Sequence, residues 1–350
     1  MTHGAVTAVY DAGLVVLSIF VTVFAVILFF LCKKEKEPPA GRDEEEGLPA
    51  AKQAAAAYAL MEIETATDSF NHRRIIGKGR IGTVYAAVMP KGEVAAVKRI
   101  HPRLVLSHAG FGFSSVLKWL SLADHPHVVP ITGFAEAPGE RIIVMEFGGM
   151  LSLDFYLHQN PDGAALLDWS RRLRIAAGAA RGLEYLHDTA APPIIHGCVK
   201  PSNILIDVKF CARVCDYGLH FLAANERRGL AGYVDEEYWM DKQCGGGGGQ
   251  PATKESDVYG FGVVLLELLS GKRSKEGELV RWALPLIKGM ELRQVLDPSL
   301  AIPSDVGPLG RLARVALACV GNCRKNRPSM SQVAAILSTL ETQTGGITLT

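Results

Sequence analysis

The chain of 350 residues has almost no net charge, since 37 Lys and Arg face 36 Asp and Glu and leave +1. Without a cationic excess there is no electrostatic footprint for a polyanion, which argues against a nucleic-acid partner. Seven cysteines are present, Cys32, Cys198, Cys211, Cys215, Cys244, Cys319 and Cys323, but no two stand as C-x-x-C and none has zinc-ligand spacing with a histidine. They read as reduced thiols in a cytosolic compartment. Acids are missing from the whole stretch between Glu93 and Asp124, and serine and threonine from the stretch between Asp216 and Glu237. The first gap denies a carboxylate to any helix in that region, and the second denies it a site for Ser/Thr phosphorylation.

One long apolar run does exist. From Gly13 to Leu31 the only polar side chains are Ser18 and Thr22, which is enough for a helix across a bilayer. Cys32-Lys33-Lys34 follows where a cleavage site would need small residues, so the run reads as an uncleaved anchor and not as a signal peptide. The lysines Lys33, Lys34 and Lys36 place the C-terminal bulk in the cytosol. Residues 1–12 form a short extracellular segment, too small to bury a ligand. Residues 32–57, rich in Pro, Gly, Ala and acid, read as a disordered juxtamembrane linker. A globular domain is expected over 58–341, with a fraying tail over 342–350.

Inside that domain, Gly77-Lys-Gly79-Arg-Ile-Gly82 lies between the strand-like pairs Ile75-Ile76 and Val84-Tyr85. Glycines at this spacing let backbone amides approach phosphates, because no Cβ intervenes. Val94-Ala95-Ala96-Val97-Lys98 is an apolar strand closing on a lysine, 16 residues past the last glycine. Further on stand His196-Gly197-Cys198-Val199-Lys200-Pro201-Ser202-Asn203 and Cys215-Asp216-Tyr217-Gly218. Together these stretches resemble a protein kinase, with its Gly-rich loop, its strand lysine, its catalytic loop H-R-D-L-K-P-x-N and its metal-binding turn D-F-G. Trp169 to His187 resembles R-L-x-I-A-x-G-A-A-R-G-L-x-Y-L-H, the helix before the catalytic loop in plant receptor-like Ser/Thr kinases. Asp257 to Gly271 resembles the central helix of the same family, where Asp257 braces the catalytic-loop backbone.

The resemblance implies an α+β, two-lobed kinase fold, with a small mostly β N-lobe and a larger helical C-lobe, preceded by one transmembrane helix. It implies ATP and Mg2+ as cofactors. Lys98 would pair with the α and β phosphates beneath Gly77, Gly79 and Gly82, and Val84, Ala96 and Leu205 would line the adenine pocket. The backbone of Glu146 and Gly148 would bond the adenine edge beyond a gatekeeper at Met145. Asn203 and Asp216 would hold the metal, and Lys200 would meet the γ-phosphate.

Three departures weaken the chemistry. Cys198 stands where the family has the aspartate that accepts the substrate hydroxyl proton, and a thiol is a poorer positioned base than a carboxylate. It reads as a neutral replacement in preference to a redox sensor beside Lys200. Counting back from His125 puts Ser115 where the helix glutamate that pairs with Lys98 belongs. Gly197 replaces the arginine that would grip a phosphorylated activation segment, while Leu230, Asp235 and Glu236 alter that segment itself. Glu237 and Arg327 are retained as an expected buried ion pair. The expected function is a catalytically impaired pseudokinase at the plasma membrane, which binds ATP and serves other receptor-like kinases as an allosteric or scaffolding partner. The alternatives are a Ser/Thr kinase phosphorylating protein at a reduced rate, and an interaction module that binds no nucleotide.

Overall fold

The computed structural model describes residues 54–107, 112–223, 230–235 and 252–345. The expected membrane span over 13–31, the segment before it and most of the linker lie outside the described residues, as do Glu236 and Glu237. Among the described residues no helix is long and apolar enough to cross a membrane.

The ordered chain starts earlier than its composition suggests. Ala56–Ala57 forms strand β1, followed by helix α1, Leu60–Ala66. The backbone N–H of Ala55 donates to Ser121 Oγ at 2.9 Å and that of Tyr58 to Phe134 O at 2.9 Å. Residues 54–57 are thus part of the domain and not of a disordered linker. Alanine-rich composition carries no sign of these backbone bonds, so the sequence pattern alone starts the domain later.

The strands β2 (Ile75–Lys78), β3 (Gly82–Val88), β4 (Val94–Ile100), β5 (Ile131–Ala137) and β6 (Glu140–Glu146) complete a six-stranded sheet in the order β1-β5-β6-β4-β3-β2, antiparallel except for β1 on β5. Alternation along β4 decides what each face does. Ala95 and Val97 join Ile63 and Ala66 of α1 in a cluster on the outer face. Ala96, Lys98 and Ile100 point the other way, toward the second lobe and helix α2, Phe113–Leu120. That helix buries Phe113, Leu117 and Leu120, an i, i+4, i+7 stripe.

The second lobe is helical. Helix α3, Trp169–Glu184, is capped by Asp168, whose side chain accepts from Arg171 N at 2.8 Å. Beneath it a small sheet pairs β7 (Leu151–Ser152), β8 (Ile204–Ile206) and β9 (Ala212–Val214). Helix α4, Lys254–Ser270, is buried along almost its whole length, as its all-round apolar sequence requires, and it stops at Gly271 with φ 66°. Helices α5 (Glu278–Lys288) and α6 (Gly307–Cys319) pack against it, while α7 (Met330–Gly345) packs against α3. Helix α7 runs into the expected tail as far as Gly345, and Arg181 pairs with Glu341 and Arg311 donates to Gln343 on its last turns.

Candidate functional site

Between the six-stranded sheet and the helical lobe lies a cavity of about 610 Å³, a size typical of small-molecule sites. Gly77, Gly79, Val84, Ala96, Lys98, Met145, Glu146 and Gly148 line it from the sheet side and the inter-lobe connection. Cys198, Lys200, Asn203, Leu205 and Asp216 line it from the helical side. The strand register explains the first group, since Val84 is opposite Lys98 and Ala96 is opposite Met145, all at the inner face. Gly82 is the exception among the expected residues. It is absent from the cavity wall, and a Cβ there would lie 2.2 Å from Arg99 O, so this glycine serves the close pairing of β3 with β4. At Gly77 a Cβ would meet only Val84 at 3.8 Å, and at Gly79 only Gly82 O at 3.8 Å, so these two leave the loop open toward a ligand.

Lys98 is buried, and its ammonium donates to both carboxylate oxygens of Asp216. Burial pushes the Asp216 carboxyl up, but the charge and hydrogen bonds of Lys98, with smaller help from His196 and Lys200, hold it below the usual carboxylate range. The structure corrects the assignment of Ser115. That residue is exposed, and the inward positions of α2 are Phe113, Leu117 and Leu120, with Val116 half-buried against the core. The count back from His125 had slipped around the helix. The inference it served survives, because every inward position is apolar and no acid exists between Glu93 and Asp124.

The catalytic-loop backbone is held from α4. Asp257 accepts from His196 N and Gly197 N, each at 2.7 Å, and from His187 Nε2 at 2.9 Å. Asn203 Nδ2 donates to Cys198 O at 2.9 Å. Cys198 itself is buried on the cavity wall. Gly197 has φ 77°, and a Cβ on it would lie 2.6 Å from the ring of His220, so the missing arginine makes room for an activation-segment histidine. Tyr217 is buried, its hydroxyl donating to Val129 O at 3.2 Å, and burial pushes its ionisation above the ordinary tyrosine range.

Among the described residues Arg327 has its acidic partner in Asp235. Its Nη1 donates to Asp235, and Arg324 Nη2 donates to the other oxygen of the same carboxylate at 2.8 Å. Asp235 is buried, so this departure from the family pattern also ties its segment to the helical lobe.

A family model described as "Protein kinase domain" matches residues 70–335. The chain belongs to the protein kinase family. Among curated relatives, the Arabidopsis thaliana "Serine/threonine-protein kinase-like protein CCR2" is 35% identical over 285 residues, 80% of this chain and 34% of the relative. The Arabidopsis thaliana "Proline-rich receptor-like protein kinase PERK1" is 34% identical over 303 residues, 80% of this chain and 44% of the relative. This chain therefore spans less than half the length of these receptor-like kinases. A solved structure of the pseudokinase domain of BIR2, titled an immune regulator of the RLK/Pelle family, matches with a TM-score of 0.67 and 33% identity, covering 82% of this chain and 87% of that one.

Within the kinase fold, sequence reasoning missed three elements of the site. Arg213 brackets the carboxylate of Glu146, its Nη1 donating to Oε1 at 2.7 Å, and so fixes the connection between lobes. Arg80 of the Gly-rich loop donates to Ala223 O at 3.1 Å, joining that loop to the activation segment. Tyr233 donates to the buried carboxylate of Glu267 at 2.6 Å, which also contacts His158. Each pairing spans 34 to 143 residues, and no local pattern signals it.

Proposed function

We propose that this kinase-fold chain is a membrane-anchored receptor-like pseudokinase, which holds ATP in the cleft, transfers its phosphate at or near the background rate, and regulates active receptor kinases through protein contact. The observation that carries this reading is Cys198. It lies on the cavity wall with the catalytic-loop backbone kept in place by Asp257, so the frame of a proton-accepting site is intact while the carboxylate is gone. General-base assistance of this kind is worth about 10² to 10⁴ in rate. The likeness to the BIR2 pseudokinase domain supports a regulatory role of the same sort.

The cleft suits an adenine nucleotide. Val84, Ala96, Leu205 and Met145 offer an apolar slot, the backbone of Glu146 and Gly148 edges it, and the open Gly77 and Gly79 leave a cradle above Lys98. When bound, ATP would bring its phosphates to Lys98 and Lys200. The donor set for Mg2+ fits poorly, because both oxygens of Asp216 already accept from Lys98 and Asn203 contributes a single neutral oxygen. A reduced-rate kinase is the second reading, favoured by the survival of Lys98, Lys200, Asn203 and Asp216 around one cavity.

Nucleotide binding is tested by the melting temperature of the purified protein in excess ATP. The expected outcome is an upward shift that Lys98→Met abolishes. An unchanged melting temperature would favour a module that binds no nucleotide.

A further inference from the structure

The first turn of the activation segment touches three parts that frame the cleft. Leu219–Ala223 coils as a 3-10 helix directly after Gly218, with Leu219, Leu222 and Ala223 buried. Toward the catalytic loop, Gly218 N donates to His196 O at 3.2 Å, and the His220 ring lies so close to Gly197 that a Cβ there would come within 2.6 Å of it. Toward α2, a Cβ on Gly218 would lie 2.5 Å from the Leu120 side chain. Toward the Gly-rich loop, the turn packs on the short helix Pro102–Ser107, and Ala223 O accepts from Arg80 at 3.1 Å.

The Gly-rich loop is held by the same neighbourhood. Gly79 N donates to Gly82 O at 2.9 Å, the His101 ring meets Gly79 O at 3.0 Å, and His101 N donates to Ile81 O at 2.9 Å. His101 directly precedes Pro102–Ser107, so loop, short helix and turn are joined by continuous contacts. Arg80 reaches from the cavity wall to the turn. A loop fixed in this way offers a formed cradle at Gly77 and Gly79, whereas a loop released from the turn has to be ordered when a ligand enters, at a cost in entropy. A nucleotide therefore prefers the state with the turn docked, and by reciprocity it favours docking of the turn.

We propose that the turn Leu219–Ala223 reads the occupancy of the nucleotide cleft: ATP beneath the Gly-rich loop secures the turn through Arg80, an empty cleft lets it loosen, and occupancy is thereby transmitted out of the cleft without phosphate transfer. This rests on the reading that the cleft binds ATP.

The experiment is amide hydrogen exchange of peptides covering 218–223 and 196–203, read by mass spectrometry on the purified full-length protein with and without ATP, for the wild type and Arg80→Met. The methionine keeps the length of the side chain and removes its donors. ATP is set from the melting shift so that both proteins are equally occupied, and Arg80→Lys takes the place of Arg80→Met if the latter does not melt cooperatively. In the wild type ATP should slow exchange over 218–223 by about fivefold or more, the lower end of ordinary coupling between sites. The variant should exchange faster there without nucleotide and gain no such slowing, while 196–203 gains equal protection in both proteins. Three results overturn the inference and leave the ATP-binding reading standing. They are a melting shift in the wild type with no slowing over 218–223, full slowing retained in the variant, and ATP binding abolished by the variant, which would make Arg80 a ligand contact instead of a link. No melting shift and no protection in the wild type overturns both.

Discussion

At the scale of single residues, two acids carry opposite lessons. Asp216 stands at the spacing the family pattern requires, yet its carboxylate is occupied by Lys98. Asp235 departs from the pattern, yet it is buried between Arg324 and Arg327 and ties down the end of the activation segment. Removing one member of such a buried group leaves the others uncompensated. Asp235→Ala is therefore expected to destabilise the domain by about 3 to 5 kcal/mol, read from urea unfolding, whereas Cys198→Ala exchanges one small apolar side chain for another and should cost under about 1.5 kcal/mol. Comparable effects of the two changes would show that Asp235 is not the anchor.

At the scale of elements, the pre-domain segment is the least expected part. The family model begins at residue 70, but α1 and β1 lie before it and cover the outer face and edge of the sheet. Ile63 is fully buried among Ala87, Ala95, Val97 and Val144. Ile63→Ala should lower stability by about 2 to 5 kcal/mol, the range for truncating a buried aliphatic side chain. A change below about 0.5 kcal/mol in chemical unfolding, as for an ordinary surface site, would mean that the helix does not belong to the folded unit. The strands β2, β3 and β4 and helices α3 and α4 were legible in the sequence, because apolar periodicity and dense motifs coincide there. The inner positions of α2 were misread by counting along the chain, since the helix turns by about 100° per residue and an error of one moves Ser115 from the inner face to solvent. The bonds of Arg213, Arg80 and Tyr233 were not legible at all, because they join residues far apart in sequence by side-chain geometry.

At the scale of the whole molecule, buried histidines give the fold a pH dependence. Burial pushes His196, His220 and His127 below the usual histidine range, in each case as the largest effect. Such groups stay neutral in the folded state while the unfolded chain takes up protons below about pH 6.5, so stability is full above that pH and falls with acidification. The melting temperature should accordingly drop between about pH 7.5 and 5.5, before Asp216 and Asp257, whose carboxyls are both held low, can protonate. A flat profile over that window would contradict the placement of these rings. The same whole-molecule view governs function, since the cleft, the catalytic-loop brace and the anchored activation segment are all kept while the proton acceptor and the helix acid are missing. Restoring one group should then leave the other defect in place. The most direct measurement is phosphate incorporation from labelled ATP, into the protein itself and into a generic protein substrate, for the wild type, Cys198→Asp and Asp216→Asn. The account predicts background incorporation in all three; wild-type incorporation that Asp216→Asn abolishes would contradict it.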